Sequence, residues 1–240
     1  GADLARRLDV PSGTITRVIS GLRSDGLLSS RQTQRNRGVG RPPTLLDLNP
    51  QFAYLVGIEL STFSTRLVLT DFKGQICGKE LFPTERLNSP LPDALAERVR
   101  AFVEDNLRAD HRNALQGIGV GLCGDVSMEN GTTFGGFLPN GTELAPALRE
   151  AVGGIVRVDN DANMAVNAEC LFGAARGLKH VVCMLDRGWV GCGLVLNGVL
   201  YRGKHNAAGE LSAAQAGGED DGGGRVPPPF LESLWLEKAV

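Results

Sequence analysis

The sequence contains no run of apolar residues close to the roughly 20 that a membrane helix needs, and its first residues show no signal-peptide pattern. A membrane-spanning protein is therefore not expected. Cysteine is scarce: Cys77, Cys123, Cys170, Cys183 and Cys192 are odd in number, scattered, and mostly set in apolar runs. That usage excludes a disulfide framework and suits buried thiols in a reducing cytoplasm, so a cytoplasmic location is expected. Histidine is scarcer still. None of His111, His180 and His205 stands at metal-ligand spacing from a cysteine pair, so neither a structural zinc nor any other metal is expected.

What is present is an ordinary globular composition, 42% hydrophobic and 22% charged over 240 residues, enough for one or two domains. The near-neutral total of −2 hides an asymmetry. Residues 1–43 carry eight arginines against three aspartates, a net +5, which leaves −7 for the remainder. A basic head on an acidic body points to a polyanionic partner for the head alone.

Residues 2–28 are expected to form two helices joined by a tight turn. Ala2, Leu4, Ala5 and Leu8 give the first an apolar face, Asp9-Val10-Pro11 breaks it, and Ser12 is placed to cap the next. In the second, Ile15, Val18, Ile19 and Leu22 follow the spacing of a buried stripe. Thr14, Thr16, Arg17, Ser20 and Arg23 lie opposite, the arrangement of a helix-turn-helix with short polar side chains near the start of its reading helix. Leu27-Leu28 and Thr44 to Leu48 are candidate strands flanking the basic tip RQTQRNRGVGRPP, which reads as a wing. There Arg37 and Arg41 suit phosphate or minor-groove contacts. The alternatives are a helical hairpin packed on another surface, and a solvated loop.

Beyond Pro50, strands are expected at Tyr54–Leu60, Thr65–Thr70, Ala114–Leu122, His180–Leu185 and Gly191–Leu196. A helix is expected over Pro92–Leu107, a loop over Gly131–Leu144, and a hairpin turn at Asn197-Gly198. The chain is organised around VRVDNDANMAVNAECLFGAARG, residues 156–177. A β-like run stops at Asp159-Asn160-Asp161 and a helix follows, with Gly173 as its stop. A carboxylate thus stands at a strand end beside a helix N-terminus, where ligands bind in open α/β proteins. Asp161 suits hydrogen bonds to a hydroxyl-rich ligand or general-base work. Equally, Asp159 or Asp161 serves only as the helix cap.

This stretch closely resembles the signature region of the ROK family, which groups sugar kinases with sugar-responsive repressors. Asn160, Asp161, Ala162, Asn163, Glu169, Gly173 and Gly177 stand at the matching positions. The resemblance extends over most of the chain: residues 1–48 are similar to the winged helix-turn-helix of ROK repressors, with Gly40 to Pro50 matching the end of the wing. It implies that Asp161 contacts sugar and would be the base in a kinase, and that Asn140, Asn160 and Glu210 are further sugar contacts. For Asn140 an ordinary turn with Gly141, and for Glu210 an ordinary exposed glutamate, are the alternatives.

Three departures from the family pattern bear on chemistry. Glu59-Leu60-Ser61-Thr62-Phe63 replaces the glycine-rich segment that kinases bring against ATP phosphates, and Trp189 stands in the second phosphate segment. Side chains where backbone must approach phosphate make a poor cradle. The family's zinc- and sugar-binding histidine is replaced by Ala213, its zinc cluster is absent, and GGEDDGGGRVPPPF follows.

The expected fold is α/β: an α+β winged helix at 1–48, then an actin-like ATPase/sugar-kinase fold. Its first lobe would be 51–158, and its second would start at 159–240. Absence of a first Met, of the first winged-helix helix and of the second lobe's remainder implies truncation at both ends, with apolar surface left uncovered. The expected function is a sugar-responsive DNA-binding regulator, a repressor, working as a homo-oligomer on DNA with a sugar or sugar derivative as ligand and no cofactor. A sugar kinase, and a regulator that has lost its sugar, are the alternatives.

Overall fold

The computed structural model describes residues 2–32, 44–127, 129–186, 190–204 and 206–211. Arg37, Arg41, Gly188, Trp189, His205, Ala213 and the acidic Gly-rich stretch lie outside the described residues, as does the side chain of Arg31.

The N-terminal elements are helices α1 (Ala2–Leu8) and α2 (Ser12–Ser24) and the antiparallel strands β1 (Leu28–Gln32) and β2 (Thr44–Leu48), paired from Leu28↔Leu48 to Gln32↔Thr44. Helix α2 starts after Pro11 without a side-chain cap; Ser12 is its first residue, and its carbonyl accepts from the Thr16 hydroxyl at 2.9 Å. Its apolar stripe is only partly covered. Ile15 is buried, but Val18 is 50% exposed; α1 and β1 are the described elements that pack most on α2.

A 3-10 turn at Pro50–Phe52 joins this unit to the body, with Asn49 as its cap and as donor to the Gly26 carbonyl at 2.9 Å. Phe52 packs on Phe72 with ring centroids 5.0 Å apart, and Lys73 pairs with Asp47 at 2.6 Å.

The body begins with an antiparallel meander of β3 (Tyr54–Leu60), β4 (Ser64–Asp71) and β5 (Ile76–Pro83). Helix α3 (Leu91–Asn106) leads to β6 (Leu115–Leu122), which lies parallel to β3. The short pair β7 (Asp125–Val126) and β8 (Thr133–Phe134), then helix α4 (Ala145–Val152), lead to β9 (Ile155–Asn160), parallel to β6. The five-stranded sheet has the order β5-β4-β3-β6-β9. Helix α5 (Asp161–Phe172) follows, then the antiparallel sheet of β10 (Val181–Asp186), β11 (Val190–Leu196) and β12 (Val199–Leu200). Asn197 and Gly198 both take positive φ, as a two-residue type I′ hairpin requires.

The core lies on one face of the five-stranded sheet. Alternate residues Val56, Ile58 and Leu60 of β3, Leu67 and Leu69 of β4, and Ile118, Val120 and Leu122 of β6 meet Leu95, Val99 and Phe102 of α3 and Leu148 of α4. Burial of each such Leu or Val contributes about 1.5–3 kcal/mol. The opposite face of β6 carries Gly117, Gly119 and Gly121, and this spacing positions the site. A side chain at Gly121 would begin 3.5 Å from the Asp161 Cα, and one at Gly119 only 3.2 Å from the end of Met164. Bare backbone here lets α5 settle close to β6 and brings its first residue to the strand ends. The other flank of α5 packs on β10 and β11. Apolar side chains on the far side of this small sheet, Val182 and Met184 of β10 and Val199 of β12, are exposed. Among the described residues no helix is long and apolar enough to cross a membrane.

Candidate functional site

The parallel strands β3, β6 and β9 end on one side of the sheet, and the chain leaves each end by a different route. Between them opens a cavity of about 330 Å³ lined by Thr62, Cys123, Gly124, Asp125, Gly136, Phe137 and Glu210. A larger open hollow of about 680 Å³ adjoins it, shares Asp125, and is lined in part by Phe134, Arg202 and Asn206.

Asn160 is bonded to two of the residues that line the inner cavity, Gly124 and Glu210. Its side-chain oxygen accepts from the Asn163 amide at 3.1 Å, which makes Asn160, not Asp159 or Asp161, the N-cap of α5. Its side-chain nitrogen donates to the Gly124 carbonyl and to Glu210 Oε1, both at 3.3 Å. One buried amide thus ties together the end of β6, the start of α5 and the segment that carries Glu210. Asp161 is the first helical residue, half-buried, with Oδ1 accepting from the Ala162 amide at 2.8 Å. Asp159 is held by Arg202 in a two-pronged pair, Nη1 to Oδ1 at 2.7 Å and Nη2 to Oδ2 at 2.6 Å.

Of the residues named from sequence, Glu210 lines the cavity, Asn160 is bonded to it, and Asp161 is near enough for its charge to act on Glu210. Asn140 does not line the cavity. It is exposed, and its side-chain oxygen accepts from the Gly135 amide at 2.6 Å, so it braces the loop that brings Gly136 and Phe137 to the cavity wall. Thr14, Thr16, Arg17, Ser20 and Arg23 lie on the exposed face of α2, with Arg23 reaching the Ser30 hydroxyl at 3.2 Å. Asp125, Arg202 and Asn206 belong to the site's walls but were not identified as site residues from sequence. Asp125 carried no periodic or motif signal, and Arg202 meets its partner 43 positions away.

The site is electronegative. Burial pushes the Glu210 carboxyl up from the usual glutamate range, and the carboxylates of Asp125 and Asp161 push it further. Burial likewise raises Asp125, whose Oδ1 is buried without a hydrogen-bond partner. A raised folded-state value means that the native protein holds the Glu210 proton more tightly than the unfolded chain. Stability then falls as pH rises from the ordinary glutamate range through the raised value, and the full penalty stands above it. Glu210→Gln should accordingly raise the melting temperature of the ligand-free protein by a few degrees at neutral pH, with the gain vanishing below about pH 4. Melting curves across that range check this; a Gln variant less stable than wild type at neutral pH would contradict it. Like charges gathered at a cavity at the expense of stability mark a binding site more than a structural one.

The β3–β4 turn, which brings Thr62 to the cavity, is built differently. There the Ser61 amide donates to the Ser64 carbonyl at 3.1 Å and the Ser64 amide to the Ser61 hydroxyl at 3.2 Å. The Ser61 carbonyl accepts from buried Thr84 at 2.7 Å. The Ser61 and Ser64 amides thus bond within the turn, and Phe63 stands 68% exposed at its tip. Among the described residues no group of three or more His, Cys, Asp or Glu side chains is placed to hold a metal.

Comparison with known proteins agrees with this architecture. The chain is 25% identical over 226 residues to a putative xylose repressor of Caldicellulosiruptor sp. (strain Rt8B.4), covering 92% of this chain and 55% of that protein. It is 30% identical over 164 residues to a glucokinase of Thermotoga maritima, covering 65% of this chain and 49% of the enzyme. The chain thus spans about half the length of the curated relatives it matches. The fold is shared with the crystal structure of a ROK family transcriptional regulator, a homolog of the Escherichia coli MLC protein. The TM-score is 0.67 at 22% identity, over 91% of this chain and 55% of that one. With residues 55–222 matching the family's domain from the first strand of the sheet to beyond Glu210, this chain belongs to the ROK family.

Proposed function

We propose that the protein is a sugar-responsive DNA-binding transcriptional regulator, a repressor. Residues 1–48 form its winged helix-turn-helix domain, residues 51–158 its first ROK lobe, and residues 159–240 the start of the second. The observation that carries the sensor half is the convergence of Asn160, Asp161 and Glu210 at the strand ends, acceptor-rich groups suited to charge-assisted hydrogen bonds with sugar hydroxyls. Its relatives named xylose repressors support the regulatory half. The β3–β4 turn, which carries the side chains of Thr62 and exposed Phe63 at its tip and bonds its Ser61 and Ser64 amides internally, favours a sensor over a kinase, since phosphoryl transfer depends on positioning and neutralising phosphate.

For the DNA half, α1, α2 and the β1–β2 pair have the order of a winged helix-turn-helix, and the exposed face of α2 carries the polar and basic set. Thr14, Thr16 and Ser20 would face base edges, and Arg17 and Arg23 phosphates; Arg37 and Arg41 would serve the wing. The protein would act in the cytoplasm as a homo-oligomer, and sugar would alter how two heads fit two half-sites.

The test is selection of binding sites from random duplex DNA, followed by affinity measurements over a salt series. Arg17→Ala should weaken binding evenly across sequences and reduce the magnitude of the salt slope by about 1. Addition of the cognate sugar should change the affinity of the wild-type protein. No enrichment of any sequence, or a salt slope unaffected by Arg17→Ala, would count against the reading.

A further inference from the structure

Glu210 reaches the cavity at the far end of a strap that leaves β12 and includes Tyr201, Arg202, Asn206 and Gly209. Where the strap begins, the Tyr201 amide donates to the Leu194 carbonyl at 2.7 Å; where it ends, the Cys192 amide donates to the Gly209 carbonyl at 2.8 Å. Between these points it is fastened by side chains. Arg202 grips Asp159 with both prongs and gives a further hydrogen bond from Nη1 to Asn206 Oδ1 at 2.9 Å. Asn206, only 6% exposed and at φ 63°, passes the tie on from Nδ2 to the Val126 carbonyl at 2.8 Å. Both functional atoms of this buried amide are satisfied, and the strained backbone at a non-glycine residue is held by its surroundings.

The two ends of the strap are attached to consecutive residues of one strand. Arg202 is tied to Asp159, and Glu210 is tied to Asn160. The bond at Glu210 is long and shared with Gly124, whereas the fork at Asp159 is short, charge-assisted and half-buried. Of the two side-chain ties the one at Arg202 is the stronger, and together with the Gly209–Cys192 backbone bond it holds the strap where the weaker tie at Asn160 closes.

We propose that Arg202 and Asn206 are positioning residues of the ligand site. They clip the strap to Asp159 and Val126 so that the Glu210 carboxylate stands at Asn160, ready to accept from the ligand. The proposal rests on the reading of the cleft as a sugar site. Loss of the fork leaves Asp159 partly buried with the Asn160 amide but no cation beside it, and lets Glu210 withdraw, while the core between the sheet and helices α3 and α4 is untouched.

Three variants of the protein, Arg202→Gln, Arg202→Lys and Asn206→Ala, test it by two readouts. The first needs no ligand: amide hydrogen exchange at Cys192 and Leu211, both of which donate to the Gly209 carbonyl. Exchange there should quicken in the variants, while amides of β3 and β6 keep their wild-type protection. The second is calorimetric titration with a panel of pentoses and hexoses, where affinity for whichever sugar binds wild type should fall roughly tenfold to a hundredfold. Lysine keeps the charge but cannot fork, so Arg202→Lys should recover melting temperature without recovering affinity. Wild-type affinity and unchanged exchange at Cys192 in Arg202→Gln would overturn the proposal. So would a loss of protection spread evenly over the whole body, which is what a merely structural pair would give. If no sugar binds wild type, the sensor reading fails, and the exchange readout alone still decides whether the clip exists.

Discussion

Asp161→Ala should abolish sugar-dependent stabilisation while leaving the fold and the cap of α5 in place. The reason lies in the division of labour at the end of β9. Asn160 supplies the cap, and Asp159 is taken up by Arg202, so neither duty falls on Asp161. Its carboxylate sits at the first residue of α5, where bare backbone on β6 admits the helix to the strand ends and where the positive end of the helix favours a negative charge. Two charge-assisted hydrogen bonds to a sugar, at about 1.5–3 kcal/mol each, correspond to an affinity loss of more than about a hundredfold. Asp161→Asn should lose less, since it retains one acceptor. Titration of the two variants beside wild type checks this; Asp161→Ala binding as tightly as wild type would return Asp161 to a purely local role.

The second large effect is expected at Gly209. Its φ of 98° is one that side chains rarely adopt, and a Cβ there would fall on the Cys192 carbonyl oxygen. The same glycine accepts the Cys192 amide hydrogen bond, so strap and strand meet backbone to backbone. Gly209→Val must part them. That breaks the hydrogen bond, imposes strain of about 1–3 kcal/mol and pulls Glu210 from Asn160. The variant should melt several degrees lower and bind no sugar detectably, as read by denaturation and titration. Wild-type melting behaviour would show that the strap is not pressed onto β11 as described.

Legibility of these features in the sequence followed how local each one is. Strands β3, β4, β6, β10 and β11 and helices α3 and α5 carried their own periodicity, and the turn at Asn197-Gly198 its own chemistry. Strand β5 did not: it is an edge strand with most of its side chains partly or fully exposed, so no burial pattern marks it. Helix α4 is eight residues long and follows directly on a glycine-rich loop, too short for a periodic signal to stand out. At the start of α5 three adjacent residues all favoured capping, and only their backbone placement selects Asn160. At α2 the cap expected of Ser12 is absent, because Pro11 already turns the chain into the helix and Ser12 is its first residue. Asn160, Asp161 and Glu210 were legible through motif resemblance. The Asp159–Arg202 fork, the Asn206 relay and the orphan oxygen of Asp125 arise from residues brought together only by folding.

The most direct measurement is a thermal-shift screen of the protein against a panel of pentoses and hexoses, each with and without ATP and magnesium. Binding to the folded state alone stabilises it by about 2.7 kcal/mol at a hundredfold excess over Kd. The account predicts that one sugar, or a closely related group, raises the melting temperature equally with and without nucleotide, and that Asp161→Ala abolishes the shift. A shift that appears only with ATP and magnesium, accompanied by nucleotide turnover, would contradict it and make the protein a kinase.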